Sequence, residues 1–202
     1  MNNQYIGSDV TLEILDDGDI EQCRDLCGEL MAYQKSKAKL IPEAFNHMNF
    51  DTRMKKSYNE ALRRQVIVAK HNSIPIGYIF STVDEMNAKN NSIPVWAPVS
   101  EGETVQGFYP DWLKPQKIGS VSNLFFRPEY RGIGLGKRLF TMAMEWLESF
   151  DDIYLIFIYV SNGNDTALRF YLNQGFTFSH DVFGGFIQAV YKARSIRFPQ
   201  ED

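Results

Sequence analysis

Apolar positions in this chain change period several times, and each change marks an element. Val10 to Leu15 alternates, which predicts a first strand. Asp16 and Asp17 then offer helix caps. Ile20, Cys23, Leu26, Cys27, Leu30 and Met31 recur at threes and fours, which places them on one face of a helix. Pro42 ends that pattern, and a second helical stretch is expected from about Asp51 to Arg63. Gln65 to Ala69 and Ile74 to Ser81 flank the turn residues His71-Asn72-Ser73, a hairpin signal. Ile118 to Phe126 predicts a strand, with Arg127 to Tyr130 as the turn after it. Leu139, Ala143, Trp146, Leu147 and Phe150 mark one face of a helix running from Lys137. Ile153 to Val160 is apolar throughout, as in a strand covered on both faces. Ser161 to Asp165 supplies caps for a short helix through Gln174, and Gly175 fits its stop. Phe176 to Val182 and Phe186 to Lys192, split by Gly184-Gly185, predict a last hairpin. The order is β, α, α, β, β, long loop, β, α, β, α, β, β, a mixed α/β domain without internal repeat.

The long loop is the irregular part. Thr82 to about Lys117 carries Pro94, Pro98, Pro110 and Pro115, and is long for a plain connection. It also holds Trp96, Phe108, Tyr109 and Trp112. Aromatics at that density predict either packing onto the body or a wall for a substrate. The expected organisation is therefore one domain over 1–202, with an insertion at about 83–117.

Composition narrows the function classes. The chain has 202 residues and a formal net charge of -4. A mildly acidic chain argues against broad phosphate-backbone binding, so no nucleic-acid partner is expected. No apolar run reaches the roughly 18 residues of a membrane span, and the polar start lacks an apolar signal region. No membrane partner is expected, and the location expected is cytoplasmic. Cys23 and Cys27 stand four apart, which is neither a redox pair nor a zinc framework. His47, His71 and His180 are scattered, so no metal is expected.

The candidate chemistry lies at Phe125 to Lys137, Phe-Phe-Arg-Pro-Glu-Tyr-Arg-Gly-Ile-Gly-Leu-Gly-Lys. A strand ends, a turn follows, and three alternate glycines open a helix. The first helical turn leaves N–H groups unpaired, and the dipole there is positive. Glycines let a phosphate approach the backbone closely. Arg131, Lys137 and Arg138 add positive charge. Gly132, Gly134 and Gly136 read Gly-x-Gly-x-Gly, which misses the dinucleotide register Gly-x-Gly-x-x-Gly. The segment suits a pyrophosphate.

Arg131, Gly134 and Gly136 match the Gln/Arg-x-x-Gly-x-Gly/Ala motif of the GNAT N-acetyltransferases. Asn164, Ala167, Phe170-Tyr171 and Gly175-Phe176 match that family's second signature, Asn-x-x-Ala-x-x-Phe-Tyr-x-x-x-Gly-Phe. Over about Ile118 to Phe178 the chain resembles this family; the Thr82 to Lys117 stretch departs from it. The resemblance implies a GNAT-like acyl-CoA N-acyltransferase fold: α/β (α+β), with a mixed, mostly antiparallel central sheet of about seven strands flanked by helices. It implies acetyl-CoA as co-substrate. Backbone N–H groups of Arg131, Gly132, Gly134, Gly136 and Lys137, with Ile133 and Leu135 in the same turn, would hold its pyrophosphate. Phe125 and Phe126 would border the pantetheine arm, with the Phe126 backbone pairing to it. Asn164 would bond the arm, with Ala167 and Phe170 alongside. The Leu124 N–H would face the acetyl carbonyl, and Tyr171 would protonate the leaving thiolate.

The acceptor half of the site is less legible. The family often carries a glutamate base on the strand before the glycines, and here Ser120 and Ser122 stand there. A water chain, a carboxylate from the insertion such as Glu101, Glu103 or Asp111, or simple attack by the neutral fraction of the amine are the alternatives. Trp96, Tyr109, Trp112 and Ser122 are the candidate substrate residues. The expected function is acetyl transfer to a primary amine of a small molecule by direct attack in a ternary complex. A protein N-terminal or lysine acetyltransferase and a non-catalytic acyl-CoA sensor are the alternatives. The partner expected is a small-molecule amine acceptor, and a homodimer is the one self-association allowed for.

Overall fold

The computed structural model describes residues 9–15, 18–86, 91–93 and 105–194. Seven strands form one sheet in the order β1-β2-β3-β4-β5-β7-β6. They are β1 (Val10–Leu15), β2 (Arg63–His71), β3 (Ile74–Glu85), β4 (Lys117–Phe126), β5 (Leu155–Ser161), β6 (Thr177–Val182) and β7 (Ile187–Ala193). All neighbours are antiparallel except β4 and β5, which are parallel. That is the mixed, mostly antiparallel sheet expected. The helices are α1 (Arg24–Lys37), α2 (Lys56–Glu60), α3 (Leu135–Glu148) and α4 (Asp165–Asn173).

Both faces of the sheet are covered, so there are two cores. Leu26, Cys27, Leu30 and Met31 of α1 pack with Val66, Val68, Tyr78, Phe80 and Phe157 on one face. Leu139, Phe140, Ala143 and Leu147 of α3 pack with Ile67, Ile79, Val121, Ile156 and Ile158 on the other. Alternation along β5 serves both faces, which is why its sequence is apolar throughout. Cys23 and Cys27 are buried free thiols. Burial pushes the Cys23 thiol up to about 12, which leaves it inert.

Several boundaries differ from those read off the sequence. β3 runs four residues past Ser81 to Glu85, because β4 continues beside it as far as Lys117. Strand pairing thus takes the first residues of the expected insertion. The second helical stretch is broken: a 3-10 helix (Pro42–His47) and a π-helical turn (Phe50–Lys55) precede the short α2. Asn49 starts the π turn by accepting from the Asp51 and Thr52 N–H groups at 2.9 and 3.0 Å. Helix α3 opens at Leu135 rather than Lys137.

Candidate active site

The site begins as a parting of two strands. Ile118 to Val121 of β4 pair with Leu155 to Ile158 of β5, and the pairing ends there. Ser122 is the extra residue where the register against β3 slips, since Phe80 faces Asn123 but Ser81 faces Val121. Beyond it β4 follows β3 while β5 follows β7. The Arg127 N–H donates to the Ile76 carbonyl, so by antiparallel alternation Phe125 and Asn123 bond β3. The N–H groups of Leu124 and Phe126 point the other way, into the gap. The Phe126 carbonyl accepts from Arg131 Nε at 2.7 Å, which leaves its N–H as the group facing the gap.

The glycine loop lies at the end of this gap. Gly132 and Gly134 have φ of 78° and 89°, where a side chain would be strained. Around Gly132, Gly134 and Gly136 a Cβ would meet nothing within 4 Å. Packing does not require these glycines; positive φ favours glycine at Gly132 and Gly134, and all three leave the backbone open to approach. The Arg131 N–H is engaged by the Pro128 carbonyl at 3.2 Å, so it is not among the free donors. Its guanidinium lies over the Tyr33 and Phe125 rings at 4.7 and 5.2 Å, tying the loop to α1. The N–H groups from Gly132 to Lys137 keep no partner among the described residues. Lys137 and Arg138 are exposed at the same helix end.

Tyr171 and Asn164 are carried by α4. Asn164 Oδ1 caps the helix by accepting from the Ala167 N–H at 3.3 Å, which frees its amide nitrogen for another partner. Tyr171 sits among Phe140, Phe170 and Phe176, with ring centroids 5.7, 5.2 and 6.3 Å away. Burial in this aromatic cluster pushes its phenol above the ordinary value, so it stays protonated at neutral pH.

On the opposite, α1 face of the sheet a cavity of about 180 Å³ opens beside β5. Its walls include Phe45, Phe108, Tyr159, Phe183 and Phe186, with Gln34, His47, Thr52, Arg53 and Ser161 as polar members. Among the expected acceptor residues, neither Tyr109 nor Trp112 lines it. Tyr109 is buried and its N–H donates to Asn91 Oδ1 at 2.8 Å. Trp112 is 55% exposed and lies over Tyr191 and Phe157. Trp96, Glu101 and Glu103 fall outside the described residues. Asp111 bonds Gln106 at the surface. Phe108, one of the insertion aromatics noted from sequence but not among the chosen substrate residues, lines the wall, held by edge contacts to Tyr159 and Phe183.

A second feature missed from sequence joins Ser122 to a carboxylate. Thr82 Oγ1 donates to Asp84 Oδ2 at 2.7 Å and lies 3.5 Å from Ser122 Oγ. Its single proton is committed to Asp84, so towards Ser122 it accepts. Burial first, and the nearby Glu60 charge, raise the Asp84 carboxyl above its usual range, while the Thr82 bond opposes them. Thr82 and Asp84 share a strand face, a pairing that was hidden while β3 was read as ending at Ser81.

The histidines take structural places: His71 Nδ1 lies 3.0 Å from the Tyr130 hydroxyl, and His180 Nε2 lies 3.0 Å from the Gly107 carbonyl. His47 lines the cavity mouth. Among the described residues no three His, Cys, Asp or Glu side chains converge as metal ligands would. None of the helices described is long and apolar enough to cross a membrane.

A strand gap leading to a glycine-opened helix is the setting in which comparison with known proteins becomes informative. The model of the acetyltransferase (GNAT) family matches residues 35–176. The chain belongs to this family, and is an acyltransferase of its fold. Among solved structures it resembles the PaiA N-acetyltransferase from Thermoplasma acidophilum in complex with coenzyme A. That match has a TM-score of 0.56 and 18% identity, covering 91% of this chain and 99% of the other. It also resembles Arabidopsis thaliana Naa50 in complex with the bisubstrate analogue CoA-Ac-MVNAL. There the TM-score is 0.55 and the identity 17%, covering 91% and 98% of the two chains. Comparison with curated proteins finds no match.

Proposed function

We propose that this protein transfers the acetyl group of acetyl-CoA to a primary amine of a small molecule by direct attack in a ternary complex. The observation that carries this is the arrangement around the β4–β5 gap. An N–H cradle lies on the α3 side and an aromatic-walled cavity on the α1 side, and the Leu124 N–H would face the β4–β5 gap. The residues fit acetyl-CoA. Gly132 to Lys137 would hold the pyrophosphate, the Phe126 N–H would pair with the pantetheine arm, and the Asn164 amide would bond it. The Leu124 N–H would face the acetyl carbonyl oxygen.

The amine must arrive neutral or lose a proton on attack. Ser122 Oγ, with Thr82 and Asp84 behind it, provides an acceptor for that proton and a carboxylate to stabilise its departure. As the carbon–nitrogen bond forms and the carbon–sulfur bond breaks, the thiolate takes a proton from Tyr171. A cavity of about 180 Å³ favours a small acceptor over a long peptide. The test is a panel of amines with acetyl-CoA, read as thiol release. Thiol release with one or more small amines is expected. Release only with peptides would replace the small-molecule reading with a protein one. Tight acetyl-CoA binding without release by any amine would replace it with a sensing module.

A further inference from the structure

We propose that the acceptor carries a carboxylate, which Arg53 binds where it lines the cavity; this rests on the acetyltransferase reading above. Arg53 stands in the π-helical turn Phe50–Lys55, and its backbone N–H donates to the Asn49 carbonyl at 2.9 Å. The Asn49 cap thus fixes where the side chain leaves the turn. The residue is half-buried and lines the cavity. Its guanidinium has no ion pair and no hydrogen bond among the described residues.

The contrast with its neighbours is chemical. Arg24 pairs with Glu21 and Asp51, Arg63 with Asp152, and Arg127 with Glu29. Arg53 is partly buried like Arg63 and Arg127, yet its titratable neighbours are Cys27 and Tyr78 rather than a carboxylate. Burial pushes its pKa down. A guanidinium is still charged at neutral pH, so an unpaired one in an apolar wall destabilises the free protein. The forked donors of that group match the two oxygens of a carboxylate.

A second polar group in the cavity also lacks a partner. Ser161 is 4% exposed, and its Oγ is buried without a hydrogen bond. No carboxylate lines the cavity among the described residues. The pocket therefore offers no anion to pair with an ammonium, and offers a cation to hold an anion. Aromatic walls at Phe45, Phe108, Phe183 and Phe186 suit an apolar side chain beside that carboxylate. Amino acids with apolar side chains have this chemistry.

The experiment compares apolar and aromatic amino acids with the amines left by removing their carboxylates. Each is assayed with acetyl-CoA on the wild type, Arg53→Met and Arg53→Lys. The carboxylate-bearing member of each pair is expected to have a kcat/KM at least about tenfold higher. Arg53→Met is expected to erase that preference through KM and leave acetyl-CoA affinity unchanged, with Arg53→Lys between the two. Because Met keeps the apolar stem and removes an unpaired charge, the Tm of the free protein should hold or rise. Equal use of both members, or a preference that survives in Arg53→Met, overturns the proposal. So does a fall in Tm for both variants, which would make Arg53 a structural arginine. If no amine is acetylated although acetyl-CoA binds, the acetyltransferase reading fails separately. Binding then decides this one: N-acetylated amino acids with CoA should raise the Tm of the wild type but not of Arg53→Met, and no shift in either overturns it.

Discussion

Two side chains are proposed to move protons in the reaction, and their environments set what each can do. The phenol of Tyr171 is walled by aromatic rings and held protonated by burial. It can give a proton only to a base placed against it, which is the state of a thiolate at the moment of departure. Tyr171→Phe is expected to lower kcat at least about tenfold while acetyl-CoA affinity holds, because the ring packing survives. An unchanged kcat removes Tyr171 from the mechanism. Asp84 is the opposite case, a carboxyl raised by burial and by Glu60 that must be ionised to draw a proton through Thr82 and Ser122. Because its pKa is raised, kcat/KM should climb with pH through a value above the usual carboxylate pKa of about 3.9. Asp84→Asn should abolish that limb and lower kcat by about a hundredfold. A pH profile identical to the wild type would show that the proton leaves by another route.

Elements decide how these groups meet. The bulge at Ser122 and the parting of β4 from β5 happen at neighbouring positions, so one irregularity opens the gap and aims the Ser122 hydroxyl. Gly77 shows how tightly the gap's rim is packed, since a Cβ there would lie 2.3 Å from the Phe126 ring. The glycine loop is held differently, with open space where side chains would go. Gly134→Ala is expected to cost about 1 kcal/mol of stability, because φ of 89° disfavours a Cβ. Its effect on acetyl-CoA should be larger, a rise in Kd of at least about tenfold, because the methyl occupies the ligand's approach. Titration of acetyl-CoA by calorimetry checks this, and an unchanged Kd would place the pyrophosphate elsewhere.

At the scale of the whole molecule, the cavity exists because distant segments are pinned together at one buried amide. Asn162 Oδ1 accepts from the Lys39 and Leu40 N–H groups at 2.6 and 2.7 Å. Its Nδ2 donates to the Leu40 and Phe186 carbonyls at 3.2 and 2.9 Å. The end of α1, the end of β5 and the β6–β7 turn therefore share one anchor. Gly163 lets the Lys37 carbonyl approach, since a Cβ there would lie 2.0 Å from it. Asn162→Ala leaves several buried groups unpaired and should cost about 2–4 kcal/mol. A thermal melt showing less than about 1 kcal/mol would mean that the contacts around it carry the junction.

The sequence by itself determined the local devices. The helix face of Leu139, Ala143 and Leu147, the apolar run of β5 and the glycine loop each follow from spacing within a few residues. Those regularities are written in consecutive positions, so they are legible there, and with them the cofactor half of the site. The acceptor half depends on pairings far apart in the chain. Asp84 became a partner of Ser122 only when β3 and β4 paired past Ser81. Arg53 became an unpaired charge only when the π turn folded against β5 and Phe108. Tertiary structure decided these points because burial and the absence of a partner are properties of the packed interior. No spacing along the sequence records which side of a wall a guanidinium ends on.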